Sequence, residues 1–367
     1  MKTSTDRILT THTGSLPRPE LLTDRHDESL LRAAVAETVR RQLSAGIDVI
    51  NDGEASKPSY ATYVRERLSG FGGEPVPLQQ RDFQAFPEFA ARRARQQGRS
   101  QVAANPACTG PVAYLDTAPV AADIANLGAG ADGATEVFMS AASPGVIEMF
   151  MPNRYYPSTE DYLHALADAM KTEYDAISQA GLILQLDCPD LAAGWAVGPE
   201  LTVEEFRRKV SQRLEALEYA TRDTPADRLR LHLCWGNYEG PHVTDIPLAE
   251  IIDLVLAARP AALSFEGANP RHEHEWTLFE DTRLPDGKVI IPGVLDSTTN
   301  YVEHPELIAQ RITRYAGLVG REHVMAGSDC GFATFTASVK VDPKITWAKL
   351  AAMSEGARLA SGRLWDR

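Results

Sequence analysis

The run Leu229-Arg230-Leu231-His232-Leu233-Cys234-Trp235 sets an imidazole and a thiol two residues apart among leucines. Read as a strand, it alternates its side chains between two faces. Leu229, Leu231, Leu233 and Trp235 share the face that suits packing on helices, while Arg230, His232 and Cys234 share the other. Imidazole nitrogen and thiolate sulfur are both good ligands for Zn2+. By the same alternation, Ala262-Leu263-Ser264-Phe265-Glu266 sends Ser264 and Glu266 inward, and Cys330 falls just past a later strand end. If these ends converge, His232, Cys234, Glu266 and Cys330 form a zinc site. Singly, each residue has an ordinary reading: a buried cysteine is a small core hydrophobe, and an inward histidine a hydrogen-bonded core residue. Cys108 and Cys188 are read in that way, as core or supporting residues. His272-Glu273-His274-Glu275 reads as cavity wall or charged loop, because histidines two apart do not share a helix face.

The elements that must position these residues alternate. Strand candidates are residues 8–13, 48–52, 107–113, 137–141, 182–187, 229–235, 262–266, 289–294 and 323–327. Helices are expected over 27–45, 158–180, 202–221 and 305–318. Ser158 with Asp161, and Thr202 with Glu205, have the spacing of helix N-terminal caps. Strand and helix in alternation imply a mainly parallel sheet. Polar residues recur at the carboxyl ends of many strands, the active face of a (β/α)8 TIM-type barrel. An open doubly wound sheet would concentrate them at one crevice behind a glycine-rich turn, and no such turn follows any candidate strand. The chain is therefore expected to be a single α/β barrel domain over residues 1–367, one of the nine strand candidates being a hairpin or an extra strand. Residues 65–105 break the rhythm with clustered Gly, Pro, Arg and Gln, and read as an insertion after the second strand.

With 37 Lys and Arg against 50 Asp and Glu, the 367-residue chain carries a net charge of −13, which argues against a general nucleic-acid binder. No apolar run is long enough to span a membrane. The opening Met-Lys-Thr-Ser-Thr-Asp has no apolar leader core, so a cytoplasmic location is expected. Four widely spaced cysteines suit a reducing compartment better than a disulfide scaffold. Partners are then small molecules, with a homo-oligomer an open option.

His232-x-Cys234, Glu266 and the Asp329-Cys330-Gly331 segment resemble the zinc-site pattern of the cobalamin-independent methionine synthase catalytic domain. Thr10-Thr11-His12-Thr13-Gly14-Ser15, Asp52-Gly53-Glu54 and Leu186-Asp187-x-Pro189 resemble that family's other segments, in order along the chain from about residue 8 to 335. The segments 234–242 and 300–305 look like a short, single-barrel branch that also includes epoxyalkane:coenzyme M transferase. The resemblance implies the barrel shared with uroporphyrinogen decarboxylase, and zinc held by His232, Cys234, Cys330 and, at rest, Glu266. It implies that Ser15, Glu54 and Asp187 hold an amino-acid thiol. A sulfonate thiol would call instead on Arg18, Lys57 or Arg271. The family's Asp-x-His-Ser strand end reads Asp296-Ser297-Thr298-Thr299, so the proton-donating histidine is replaced by Thr298. Other acids for a leaving group are then His242, His272, His304 and Tyr301.

Only a thiolate attacks carbon well, and a bound zinc ion deprotonates a thiol at neutral pH. The expected activity is zinc-dependent S-alkyl transfer from a methyl or alkyl donor to a small thiol of the homocysteine type. The alternatives are epoxide opening by a thiol of the coenzyme M kind and, in another class, a lyase of the uroporphyrinogen decarboxylase type.

Overall fold

The computed structural model describes residues 1–97, 105–334 and 340–366. Nine strands occur among them: β1 Val49–Ile50, β2 Phe71–Val76, β3 Asn105–Cys108, β4 Glu136–Ala142, β5 Ile183–Asp187, β6 Leu229–Leu233, β7 Ala262–Phe265, β8 Val289–Leu295 and β9 Gly327–Ser328. Seven form one parallel sheet in the order β1-β4-β5-β6-β7-β8-β9. Residues 8–13 close it. Ala326 N donates to Leu9 O and Thr11 N to Ala326 O, both at 2.8 Å, while Val49 N donates to Thr10 O at 3.0 Å on the other side. The expected barrel is thus complete, with its first strand reduced to a parallel bridge between Thr10 and Ala326. Thr10 is held sideways as well, its N–H and hydroxyl both bonded to the Asp48 carboxylate.

The candidate strand at 107–113 is not a barrel strand. Its place is taken by β3, which pairs antiparallel with β2 outside the barrel, while β1 pairs directly with β4. Gly110 and Pro111 end it, since proline has no N–H for a ladder. Two helices, Arg81–Ala85 and Pro87–Gln97, lie between β2 and β3 in the chain.

The four expected helices are present as Glu28–Ser44, Thr159–Gln179, Val203–Ala220 and Pro305–Val319. Ser158 caps the second through Asp161 N, and Thr202 with Glu205 makes a reciprocal capping box on the third. A further long helix, Pro343–Leu364, packs on Pro305–Val319. Its buried face is largely Ala, Gly, Thr and Ser, so no leucine stripe marks it in the sequence. Gly356 lets it approach closely, because a Cβ there would lie 2.5 Å from Ile308.

Alternation along the strands separates two cores. Leu231, Leu233, Leu263 and Phe265 join the large apolar layer between sheet and helices. Leu9, Val49, Phe138, Ile183, Val289, Ile291 and Met325 fill the barrel interior away from the mouth. The parallel register sets Asp187 beside His232 and His232 beside Ser264, so three inward polar side chains form one row. Below them the Arg230 guanidinium lies 4.1 Å over the Phe138 ring. Burial lowers this arginine's pKa to about 9.

A buried ion network locks the segment after β1 to the barrel. Arg67 donates to Glu173 at 2.9 Å and to Asp123 at 2.5 Å, and Tyr63 and Tyr114 donate to the same Glu173 carboxylate. No helix among the described residues is long and apolar enough to cross a membrane.

Candidate metal centre

His232 is the last inward residue of β6, and Cys234 follows it one pleat later, beyond the strand's final hydrogen-bonded pair. Cys330 arrives from the turn after β9. Asp329 pins that turn: its Oδ1 accepts from Gly267 N and Ala268 N at 2.8 Å, and its Oδ2 from Asn269 at 3.0 Å. The turn passes so close to β8 that a Cβ on Gly293 would sit 1.9 Å from Asp329 Oδ1. The result brings His232, Cys234 and Cys330 together, their ligand atoms all within 4.8 Å of one another and all three residues buried.

The donor set fits a thiophilic metal ion. His232 Nδ1 bonds to Ser264 Oγ at 3.2 Å, while Nε2 is buried with no hydrogen-bond partner. A buried, unpaired imidazole nitrogen is costly unless something accepts its lone pair. Burial holds His232 at a pKa of about 4, so the ring is neutral and its lone pair available. The neighbouring Cys330 and burial push the Cys234 thiol up, while Cys234 in turn holds Cys330 below an ordinary thiol.

Glu266, expected as the fourth ligand, faces the same mouth but stands outside this group of three. Its Oε1 accepts from Trp235 N at 2.9 Å and its Oε2 from Asn269 at 2.7 Å. The carboxylate ties two strand-end turns together, and burial raises its pKa to about 8. Cys108 and Cys188 are buried and bond to the carbonyls of Gly110 and Leu186; neither enters a ligand group among the described residues.

Two cavities meet at this centre. The smaller, about 400 Å3, brings Ser15, Glu54 and Asp187 to the same walls as His232, Cys234 and Cys330. Glu54 Oε1 accepts from Ser140 at 2.7 Å, and Asp187 Oδ1 from Gln185 at 2.8 Å. Burial and the neighbouring Glu54 raise Asp187 to about 7, so an added cation between the two acids would relieve both. Glu54 reaches this place through a left-handed backbone, φ 57°, with its N–H bonded to Asp52. Asn237 and Tyr60 also line this cavity. They come from loops and carry no spacing that sequence reading detects.

The larger cavity, about 990 Å3, shares Cys330 and Asn237 with the first. Its walls include His242, Glu266, Arg271, Asp296 and Thr298. Asp296 Oδ1 accepts from both the N–H and hydroxyl of Thr298. Of the expected acids only His242 lines it. His272 is buried between Asp245 and Glu275. His304 is exposed and caps its helix through Glu306 N, and Tyr301 is 82% exposed; neither lines either cavity. Arg18 and Lys57 do not either: Arg18 donates to the backbone carbonyls of Glu54, Ala55 and Lys57, and Lys57 to Ser140 O. These two cations hold a turn together rather than a ligand.

Residues 149–358 match the model of the family described as cobalamin-independent synthase, catalytic domain. The chain belongs to that family. The matched stretch contains the whole His232, Cys234, Cys330 group. A methionine synthase of Saccharolobus islandicus is 24% identical over 97% of this chain and 95% of its own length. A 5-methyltetrahydropteroyltriglutamate–homocysteine methyltransferase of Vibrio harveyi is 24% identical over 86% of this chain but only 37% of its own length. Among solved structures, a B12-independent methionine synthase from Shewanella sp. W3-18-1, in complex with selenomethionine, superposes at TM-score 0.77 with 19% identity, covering 98% of this chain and 100% of that one. A putative vitamin-B12 independent methionine synthase from Listeria monocytogenes gives 0.67 with 18% identity, over 96% and 98%. These neighbours share the barrel fold found here.

Proposed function

We propose that the chain is a zinc-dependent S-methyltransferase that takes a small amino-acid thiol, homocysteine or a close analogue, as acceptor. The observation that carries this reading is the smaller cavity, whose lining holds His232, Cys234 and Cys330 together with Ser15, Glu54 and Asp187. The three ligands suit zinc, and bound zinc supplies a lowered thiol pKa, so that the substrate sulfur stands as thiolate at neutral pH. The protein's own groups do the rest. Glu54 and Asp187 pair with the substrate ammonium, and the Ser15 backbone N–H bonds its carboxylate. With the ammonium and carboxylate held there, the sulfur is directed to the metal ligands, and the larger cavity, which shares Cys330 and Asn237 with the smaller, serves the donor. Curated relatives named as methionine synthase and homocysteine methyltransferase support the same acceptor. A sulfonate thiol is disfavoured, since Arg18 and Lys57 are bonded to backbone carbonyls and Arg271 lines only the larger cavity.

The test is proton release. Zinc-loaded protein mixed with homocysteine in weak buffer at neutral pH should release about one proton per thiol bound. Coenzyme M should release far less, and Glu54→Gln with Asp187→Asn should abolish the response to homocysteine. Equal release with coenzyme M, or none with any thiol, overturns the reading.

A further inference from the structure

A second cluster lies outside the thiol site and is independent of the function proposed above. His242 and Asp245 come from the loop after β6, and His272 from the loop after β7. His242 Nδ1 and His272 Nε2 converge on one oxygen, Asp245 Oδ2, at 2.8 and 3.0 Å. The three ligand atoms lie within 4.8 Å of one another. All three side chains are shielded, with 11%, 2% and 3% of their surface exposed for His242, Asp245 and His272.

The outward nitrogens decide what the inward ones can do. His242 Nε2 lies 2.9 Å from the carbonyl of Tyr238, and His272 Nδ1 lies 3.1 Å from Glu275. Both partners only accept, so both outward nitrogens carry protons. That leaves each ring, when neutral, with its lone pair aimed at the centre. Metal-binding histidines have this arrangement, the far N–H bonded to a carboxylate or a backbone carbonyl. The two N···O separations, 2.8 and 3.0 Å, lie just under and at the short end of metal-ligand spacing. Ligands bonded at about 2.1 Å stand roughly 3.0–3.4 Å apart between right-angle and tetrahedral geometry. Without a metal, all four ring nitrogens face acceptors, which requires two neighbouring imidazolium cations on one carboxylate oxygen. One divalent cation with two neutral rings carries the same total charge.

The surroundings hold the cluster in place. Trp235 stacks on His272 at 4.0 Å, and Tyr238 packs at a tilt against His242 at 4.2 Å. Glu275 is fixed in turn by Leu248 N at 2.7 Å. His242 is kept at a left-handed φ of 52°, a strained state for a residue with a side chain. A Cβ on Gly240 would lie 2.1 Å from the Tyr238 ring, so the loop closes only with glycine there.

We propose that His242, Asp245 and His272 form a second metal site, for a divalent first-row ion of the Zn2+ or Mn2+ class that accepts two imidazoles and a carboxylate. Bound there, the ion fastens the loop after β6 to the loop after β7, which together wall the larger cavity at His242, Glu239 and Arg271.

The experiment loads metal-free full-length protein with Co2+ and reads stoichiometry and absorption. Wild type should bind two ions per chain, one with the intense near-ultraviolet band of a cobalt–thiolate bond. Cys234→Ser with Cys330→Ser should keep one ion, without that band, and that ion should quench Trp235. His272→Gln should lose one ion and keep the thiolate band. Glu275→Gln should weaken the second ion about 10–100-fold. A wild type that binds a single ion, with its thiolate band, overturns the proposal even if the cysteine variant does not fold. So does a His272→Gln protein that still binds two. A thiolate site that fails to load while the histidine site fills refutes the proposed function and leaves this site standing.

Discussion

Cys234, just past the end of β6, and Cys330, in the turn after β9, are both buried and bring their sulfurs within 4.8 Å of each other. A ring nitrogen of His232 lies within the same distance, and its Nε2 is buried with no partner of its own. One thiophilic ion between them satisfies all three groups at once.

Metal content is the direct consequence. Purified protein should retain zinc at this site, and Cys234→Ser or Cys330→Ser should each release it. Cys108→Ser should not, because its sulfur bonds to the Gly110 carbonyl away from the group. Glu266→Gln should retain most of this zinc, since its carboxylate is bonded to Trp235 and Asn269 instead. Metal analysis of the four variants checks the assignment. Zinc lost from Cys108→Ser as fully as from Cys330→Ser would refute it.

Cavity shape gives a prediction on the acceptor side. A Cβ on Gly331 would lie 2.1 Å from Ser15 Oγ. Gly331→Ala should displace Ser15, which now accepts from Ala333 N and whose carbonyl takes Phe332 N. The KM for the thiol should rise up to roughly tenfold, the worth of one hydrogen bond, with zinc retained. Steady-state kinetics with metal analysis separates this from loss of the centre.

On the donor side, Thr298 bonds to Asp296 and offers no imidazole. Proton transfer from a positioned acid contributes about 10²–10⁴-fold. Turnover of methyltetrahydrofolate with homocysteine should therefore stay well below ~1 s⁻¹. A sulfonium donor, which leaves as a neutral thioether, should be faster. Parallel assays of the two donors decide, and fast turnover with methyltetrahydrofolate refutes the expectation.

The buried ion network predicts a stability loss. Arg67→Met leaves Glu173 and Asp123 buried without their cation. Breaking such a pair from one side costs about 3–5 kcal/mol. Chemical denaturation should show that loss, and a change within 1 kcal/mol of zero would mean that the network is not coupled to folding.

His12 sets a pH dependence. It is buried, bonded to Gln42 at 2.7 Å, and burial lowers its pKa from 6.5 to about 4. The unfolded chain therefore binds more protons between those values, and stability rises with pH across that window. Acidification from 6.5 towards 4 should remove about 3 kcal/mol through this residue. In His12→Gln the slope of unfolding free energy against pH should flatten there; an unchanged slope would assign it to other groups.

The parity of β6 and β7 is legible in the chain, because successive side chains on a strand point to opposite faces whatever the rest of the protein does. That local rule already sends His232, Cys234, Ser264 and Glu266 inward, and the helix caps at Ser158 and Thr202 follow from equally short-range hydrogen bonds. The false barrel strand at 107–113 shows the limit of the rule. An apolar run states that a strand can form there, and only the pairing of β1 with β4 excludes it from the barrel.

What the sequence determines by itself, then, is which face each strand residue takes and which residue types are available for metal and ammonium. Tertiary structure alone decides who meets whom. It bonds the Glu266 oxygens to Trp235 N and Asn269, and it turns Arg18 and Lys57 to backbone carbonyls. It also joins His242 to His272 through Asp245. Most of these contacts join segments far apart in the chain. No periodicity encodes them, because a loop's course depends on the walls it packs against.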